Sequence, residues 1–293
     1  MAMPEISVII PAYHSGATIQ ACLEALAGQT FRDFEVILID STPRRSSVAE
    51  VAGRYPFVNH HHHPERLLPH QARNLGIQRA RGRILVFTDP DCLAASHWLE
   101  ALLAAHRAGR PVVGGAVGAA PGFWNLAVHL TKFGWWMPAG AAGPRTEIPS
   151  ANASHERTVL ERAGAFLGAF FSADSELSWR VRGLGFPIWF EPRAVVIHQH
   201  LAGLREFLKE RFLRGRDFGA ARTQLFRWTR RRCLVYLLLL PVLPLVMAVR
   251  ALRFAWAGGY LGAWLATSPV QWAGHCMWCL GEASVHWRSL CDR

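Results

Sequence analysis

Arg83-Ile84-Leu85-Val86-Phe87-Thr88-Asp89-Pro90-Asp91-Cys92 joins an apolar run, long enough for a buried strand, to two carboxylates spaced i, i+2. In an open α/β sheet, ligands gather beyond the carboxyl ends of the strands. Two acids placed there repel one another unless a cation lies between them. A hard divalent ion such as Mg2+ or Mn2+ takes carboxylate and phosphate oxygens together. The stretch therefore predicts a strand that ends in a metal–diphosphate site. A surface turn is the competing reading, because Asp and Pro are ordinary turn residues.

The neighbouring segments supply the rest of such a sheet. Ile6-Ser7-Val8-Ile9-Ile10 is an apolar strand closed by Pro11-Ala12-Tyr13, and Ile19, Cys22, Leu23 and Leu26 then repeat along one helix face until Gly28. Val36-Ile37-Leu38-Ile39 makes a second buried strand, ending in Asp40. Alternating strands and helices predict an α/β fold with a mostly parallel sheet. His70 to Ala80 has helical spacing and carries Arg73 and Asn74, which are expected to face the same crevice.

Taken in order, these segments resemble the inverting glycosyltransferases of family 2, which have the GT-A fold, a Rossmann-like sheet flanked by helices. Ser7-Val8-Ile9-Ile10-Pro11-Ala12-Tyr13 is similar to that family's opening strand, and Ile37-Leu38-Ile39-Asp40-Ser41-Thr42 to its second strand, whose last Asp contacts the nucleotide base. Ala72-Arg73-Asn74-Leu75-Gly76 resembles its Ala-Arg-Asn-x-Gly helix start, and Thr88-Asp89-Pro90-Asp91 its metal-binding Asp-x-Asp. Asn152-Ala153-Ser154, with Val159 to Phe166 after it, resembles the acceptor-side segment. Ala173-Asp174-Ser175-Glu176-Leu177-Ser178-Trp179-Arg180 is similar to the acidic helix start that bears the catalytic base. The likeness spans about residues 4 to 220.

The resemblance implies a glycosyltransferase domain over 1–200, with a nucleotide-binding half at 1–117 and an acceptor half at 118–200. Pro11, Tyr13, Asp40, Arg73 and Asp89 would bind the nucleotide-sugar, a derivative of UDP, GDP or dTDP. Asp91 would ligate a divalent metal, Mn2+ or Mg2+, while Asp89 takes the ribose or a metal-bound water. Asn152, Glu176 and Trp179 would face the acceptor. Two positions depart from the family pattern: Ser41 stands where a second acid often follows Asp40, and Ala173 where Glu usually precedes the catalytic Asp.

Sugar transfer needs the charge on a departing diphosphate stabilised, and a carboxylate to accept the proton of the attacking hydroxyl. Asp174 suits the second task, although an acid at a helix start also serves as a cap. His198, after Ala194-Val195-Val196-Ile197, is placed to reach the metal or diphosphate, and His200 competes for that role. His60-His61-His62-His63, between strand-like Val58 and Pro64, is expected to be a solvated loop. The aromatic-rich region Phe123 to Pro149 suggests a loop or short helix over an acceptor cleft.

Composition narrows the partners. The chain has 293 residues, 51% of them hydrophobic, which excludes disorder. Its six cysteines form no disulfide framework, and Cys276-Met277-Trp278-Cys279 lies in apolar surroundings that favour packing. Ile6 already begins a strand, so no secretory leader is expected and the catalytic domain should face the cytoplasm. The net charge of +11 concentrates between Arg205 and Arg232, where Leu201, Leu204, Leu208 and Phe212 repeat as the apolar face of a basic amphipathic helix over 201–232. Such a helix suits an anionic membrane surface; no nucleic-acid-binding pattern accompanies it. Arg214 or Arg216 could instead grip a diphosphate.

Cys233 to Val249 is apolar throughout, broken in character only by Pro241 and Pro244, and Phe254 to Gly281 is apolar and rich in tryptophan. A spanning helix needs about 20 residues, so 233–293 predicts membrane-associated segments, either as two spans or as a re-entrant or in-plane hairpin. A site beside the bilayer implies a lipid-linked saccharide acceptor, in envelope or exopolysaccharide assembly. The alternative is a non-catalytic sugar-nucleotide-binding or scaffold protein, to which Ala173 and Ser41 point.

Overall fold

The computed structural model describes residues 3–43, 47–167, 172–200 and 202–291. The chain divides into two compact units, one of Met1–Gly118, Ala141–Gly168 and Leu177–Gln199, the other of Ala119–Gly140, Ala169–Glu176 and His200–Arg293. This departs from the expected domain over 1–200, because 119–140 packs with the carboxyl-terminal helices: Leu130 and Met137 form one apolar cluster with Ala255, Tyr260, Ala263 and Trp264.

The opening strand β1 (Ile6–Ala12) is buried along its whole length and is followed by α1 (Ile19–Ala27), which buries Ile19, Cys22, Leu23 and Leu26 as the spacing predicts. β2 (Phe34–Asp40), α2 (Ser47–Ala52), β3 (Val58–His62), α3 (Pro69–Arg79) and β4 (Ile84–Thr88) complete a parallel set. Then come β5 (Cys92–Ala94), α4 (Trp98–Arg107), β6 (Val112–Ala119), α5 (Phe123–Phe133), β7 (Gly143–Arg145), β8 (Asn152–Glu156), α6 (Arg157–Ala163), α7 (Ala173–Gly183) and β9 (Ile188–His198). The region around Phe123, expected to be a loop or short helix, thus contains the three-turn α5.

The nine strands form one sheet, ordered β3-β2-β1-β4-β8-β6-β9-β5, with β7 also on β9. The β3-β2-β1-β4 half is parallel. β8 runs antiparallel to β4 and to β6, and β5 and β7 run antiparallel to β9, so the sheet is mixed where a mostly parallel one was expected. Strand composition does not encode direction, which explains the difference. The order reverses between β1 and β4, and at such a switch point the flanking connections leave on opposite faces and open a crevice. The registers widen it: β1 pairs with β2 as far as Ala12↔Asp40 but with β4 only as far as Ile9↔Phe87. Pro11, buried within β1, lies past the last β4 pair. Gly76 lets α3 lie against β1, since a Cβ there would collide with Ile9.

The second unit contains α5, α8 (Leu204–Leu225), α9 (Arg230–Leu239), α10 (Leu243–Ala257) and α11 (Leu261–Cys291). The expected apolar face of α8 is not the one that packs. Leu201 lies outside the described residues, Leu204 is exposed, and the buried stripe is Phe207, Arg211, Gly215, Gly219. Glycines create it: a Cβ on Gly215 would strike the Trp278 carbonyl, and one on Gly281 the Phe212 carbonyl, so α8 and α11 touch backbone to backbone. Buried charge fills the seam. Arg211 lies over the Trp278 ring at 4.4 Å, and Arg222 pairs with Glu282.

No single described helix is long and apolar enough to cross a membrane, so the two-span arrangement finds no helix to carry it. α11 buries Thr267, Gln271, His275, Glu282 and His286. α9 and α10 satisfy length and composition only together, as a pair bent by 72°. Their Leu234, Val235, Leu238, Val242, Leu245 and Val249 are exposed.

Candidate active site

Three strands of the parallel half end in polar residues at the crevice: β1 in Tyr13, β2 in Asp40 and β4 in Asp89 and Asp91. A fourth contribution arrives from far along the chain. β5 pairs antiparallel with β9 in the register Cys92↔His198, and Gln199 N donates to the Asp91 carbonyl at 3.0 Å. His198 Nε2 therefore comes to 3.7 Å from Asp91 Oδ1. The ring's Nδ1 donates to the Gln199 carbonyl at 3.1 Å, so neutral His198 presents Nε2 as its lone-pair nitrogen, the form a metal takes.

Asp91, Cys92 and His198 bring an oxygen, a sulfur and a nitrogen within 4.8 Å of one another. Ligand atoms about 2.1 Å from one ion lie roughly 3–4 Å apart, a spacing that the Asp91–His198 pair meets. A carboxylate with an imidazole fits Mn2+, and a carboxylate alone fits Mg2+. The sulfur does not fit a hard ion. Burial, and then the fields of Asp89 and Asp91, push the Cys92 thiol well above its ordinary range, so it forms the apolar wall of the site. Cys22, behind the Asp89 carbonyl at 3.7 Å, is raised for the same reasons, with burial first.

Of His198 and His200, His198 is the one that lies beside Asp91. His200 belongs to the second unit, where its backbone N–H donates to Asn125 Oδ1 at 2.8 Å and its ring stacks on Phe133. Asp89 is held by the guanidinium of Arg73, which is buried on α3. Asn74 exchanges two hydrogen bonds with the Phe166 backbone and anchors that loop. Tyr13 is 37% exposed, with the Arg66 guanidinium 4.6 Å above its ring.

Other expected residues have different duties. Asn152 is fully buried: its Oδ1 accepts from Trp98 Nε1 at 2.8 Å, and its Nδ2 donates to the carbonyls of Ala116 and Ala194. It clamps β8, β6, β9 and α4 together and has no acceptor-facing atom. Pro11 is likewise enclosed in the sheet. Asp40 is only 1% exposed, and its Oδ1 accepts from Thr42 N at 3.0 Å. Ser41 is buried too, and its hydroxyl donates to the Ala12 carbonyl.

The histidine run is not a loop. His60, His61 and His62 belong to β3, the edge strand, and parallel pairing with β2 sets His60 Nε2 3.7 Å from Asp40 Oδ2. His62 Nε2 donates to the Thr42 carbonyl at 2.9 Å. Arg66 and His60 are the site-lining residues that sequence alone did not single out. The signal for His60 was a parallel partner strand ending in an acid, whereas Arg66 lies past the end of β3 and had none.

Asp174 is the second residue of α7, not its cap, and its Oδ1 accepts from Ser175 N at 2.9 Å. Residues 168–171, just before it, lie outside the described residues. Glu176 is buried in the same helix turn, and Trp179 Nε1 donates to Glu147 at 2.8 Å. Arg214 pairs with Glu210 and Arg216 with Asp217, so both are engaged within their own helix.

Residues 7–173 match the family described as Glycosyl transferase family 2. Glycosyltransferase AglE of Haloferax volcanii is 26% identical over 223 residues, which cover 73% of this chain and 73% of that one. Among solved structures, the mannosyltransferase PcManGT from Pyrobaculum calidifontis, in complex with GDP-Man and Mn2+, has a TM-score of 0.64 at 23% identity, covering 100% of this chain and 89% of its own. GalNAc-T7 with UDP, GalNAc and Mn2+ has a TM-score of 0.55 at 18% identity, covering 68% of this chain and 44% of its own.

Proposed function

The chain belongs to glycosyl transferase family 2 and is a glycosyltransferase of GT-A fold, and on that premise we propose that it transfers a sugar, with inversion, from a nucleoside-diphosphate sugar to a hydroxyl of a lipid-linked saccharide. The observation that carries the donor half is the Asp91–His198 pair beside Asp89 at the switch point of the sheet. The mannosyltransferase PcManGT, solved in complex with GDP-Man and Mn2+, supports the same assignment. Asp91 and His198 would hold a divalent metal, which when bound stabilises charge on the departing diphosphate. Arg73 orients Asp89 toward the donor, and its cation offsets part of the acidic charge there. Tyr13 offers a ring face to the nucleoside. Asp174 is the group we assign to accept the proton of the attacking hydroxyl.

The acceptor half rests on the bent α9–α10 pair. Its exposed leucines and valines follow directly on the exposed Arg231 and Arg232, the pattern of a segment that lies in an anionic membrane surface without crossing it. A bilayer-side enzyme meets its acceptor in the lipid, and our reading is of a reaction at the cytoplasmic face, in envelope or exopolysaccharide assembly.

Calorimetric titration of the detergent-solubilised protein with UDP, GDP and dTDP, with and without Mn2+, tests the donor half. Metal-dependent binding of one nucleotide, lost in Asp91→Ala, is expected. No binding of any of them would move the chain to the scaffold alternative. Full activity on a water-soluble acceptor after deletion of the apolar tail would count against the lipid-linked one.

A further inference from the structure

The nucleoside end of the site is built in an unusual way. Beyond Tyr13, the polar groups at the end of β2 are all turned inward: Asp40 accepts from Thr42 N, the Ser41 hydroxyl donates to the Ala12 carbonyl, and Thr42 Oγ1 accepts from His14 N at 3.0 Å. Asp40, at 1% exposed, presents almost no surface of its own to a nucleobase. The next strand supplies a side chain that does. His60 sits on the same strand face as His62, opposite Leu38 and two residues short of the end of β2, and its side chain is 20% exposed. Its Nε2 is enclosed and points at Asp40 Oδ2, 3.7 Å away.

That arrangement sets the ring's chemistry. Ionised Asp40 only accepts, so its charge favours the proton on Nε2, and Nδ1 is then a lone-pair acceptor. Among the described residues none hydrogen-bonds to His60 Nδ1. Position agrees with this: β3 lies three strand spacings from β4, about 14 Å, a distance an extended nucleoside diphosphate spans when its phosphates are at Asp91.

We propose that His60, oriented by buried Asp40, is the residue that reads the donor's nucleobase, accepting a hydrogen bond at Nδ1 from a ring N–H. The class of base is then one that carries a ring N–H beside a carbonyl: uracil, thymine or guanine. Neutral adenine and cytosine have no such ring donor and are disfavoured. Asp40 acts through His60 and is a positioning residue. The inference rests on the nucleotide-sugar reading above.

Calorimetry of the full chain with Mn2+ tests it, using UDP, dTDP and GDP and then the ring-N-methylated form of whichever binds. Wild type should lose tenfold or more in affinity on methylation. His60→Ala should lose a similar factor for the parent nucleotide and show no further loss for the methylated one. His60→Gln, which keeps an acceptor, should fall between, and unchanged thermal unfolding of both variants separates contact from folding. Equal methylation penalties in wild type and His60→Ala, or wild-type affinity in His60→Ala, overturn the proposal alone. Failure of wild type to bind any of the nucleotides overturns the underlying reading and this proposal with it.

Discussion

The two ends of strands β1, β2 and β4 use the same residue types to opposite effect. At the amino end, Glu35 accepts from the Ser7 hydroxyl at 2.8 Å, from Arg81 N at 2.8 Å, from the Arg81 guanidinium at 2.7 and 3.0 Å, and from Asn59 at 3.2 Å. Ser7 Oγ in turn accepts from Gly82 N at 2.8 Å. At the carboxyl end, Asp40 and Asp91 each face a histidine at 3.7 Å, beyond hydrogen-bond length. A carboxylate whose lone pairs are filled by its own chain fixes structure. Asp91 and His198 Nε2 are instead spaced as two ligands of one ion would be. The acids alone do not distinguish the two ends; their partners and distances do.

Substitutions should break this comparison cleanly. Asp91→Asn is expected to lower turnover by about 10³-fold, the scale of losing a preorganised charge-stabilising group, with unfolding unchanged. Asp174→Asn should cost roughly 10²–10⁴ in turnover, as for a general base, while nucleotide affinity in calorimetry stays at the wild-type value. A scaffold would keep its cellular role in that variant. Glu35→Ala should do the reverse: it strands the buried Ser7 hydroxyl proton and leaves the Arg81 guanidinium without its carboxylate, a loss of about 3 kcal/mol in denaturant unfolding, with turnover per folded molecule retained. Equal stability losses at Asp91 and Glu35 would erase the distinction.

How far the sequence was legible follows from the same physics. β1, β2, β4 and α1 bury apolar residues in simple periods, and each was readable in advance, whereas α3 buries His70, Ala72, Arg73 and Gly76 and has no apolar face. β3 was not readable, because a histidine-rich edge strand has no apolar alternation and is held by its pairing with β2. Asp91 was readable as a strand end. The choice of His198 over His200 depended on an antiparallel register with a three-residue strand, a long-range fact with no local signature. The seam of α8 was misread for another reason. Where glycines bring backbones into contact, close packing needs no large side chains, so the leucine pattern pointed to the wrong face.

Acid should separate the closed polar structure from the open site by a second route. His106 Nε2–H donates to Ser154 Oγ, whose own hydrogen goes to the Val113 carbonyl. Burial, then the charge of Arg83, lowers His106 from 6.5 to about 4. His155 is lowered by burial, and then by His106, to about 3. The folded state thus favours both rings neutral, and the unfolded chain takes up protons first as pH falls below 6.5. Stability should be flat above that pH and decline toward pH 4, by about 3 kcal/mol for His106 alone. Burial would raise the Glu35 carboxyl, but the Arg81 and Ser7 hydrogen bonds outweigh it and hold it below its ordinary value. Its contribution is present above about pH 4.3 and is lost only on further acidification. Denaturant midpoints against pH should show two stages, the first diminished in His106→Gln and the second absent in Glu35→Ala. A single decline confined to pH below 4 would contradict the first.

Arg73 belongs to both categories, and its substitution is the finest cut. It is 6% exposed like a structural residue, yet it holds Asp89, which is at the crevice, and its guanidinium lies 5.9 Å from the Phe166 ring. If its duty is to hold α3 on the sheet, Arg73→Lys should be nearly silent toward ligands, since Gly76 and Ile9 already set that contact. If its duty is to aim Asp89, lysine keeps the charge but loses the planar fork, and nucleotide affinity should fall about tenfold with a stability change under about 1 kcal/mol. The open-site view requires the second pattern. A stability loss that exceeds the affinity loss would move Arg73 and Asp89 to the closed, structural side and leave Asp91 and His198 as the working centre.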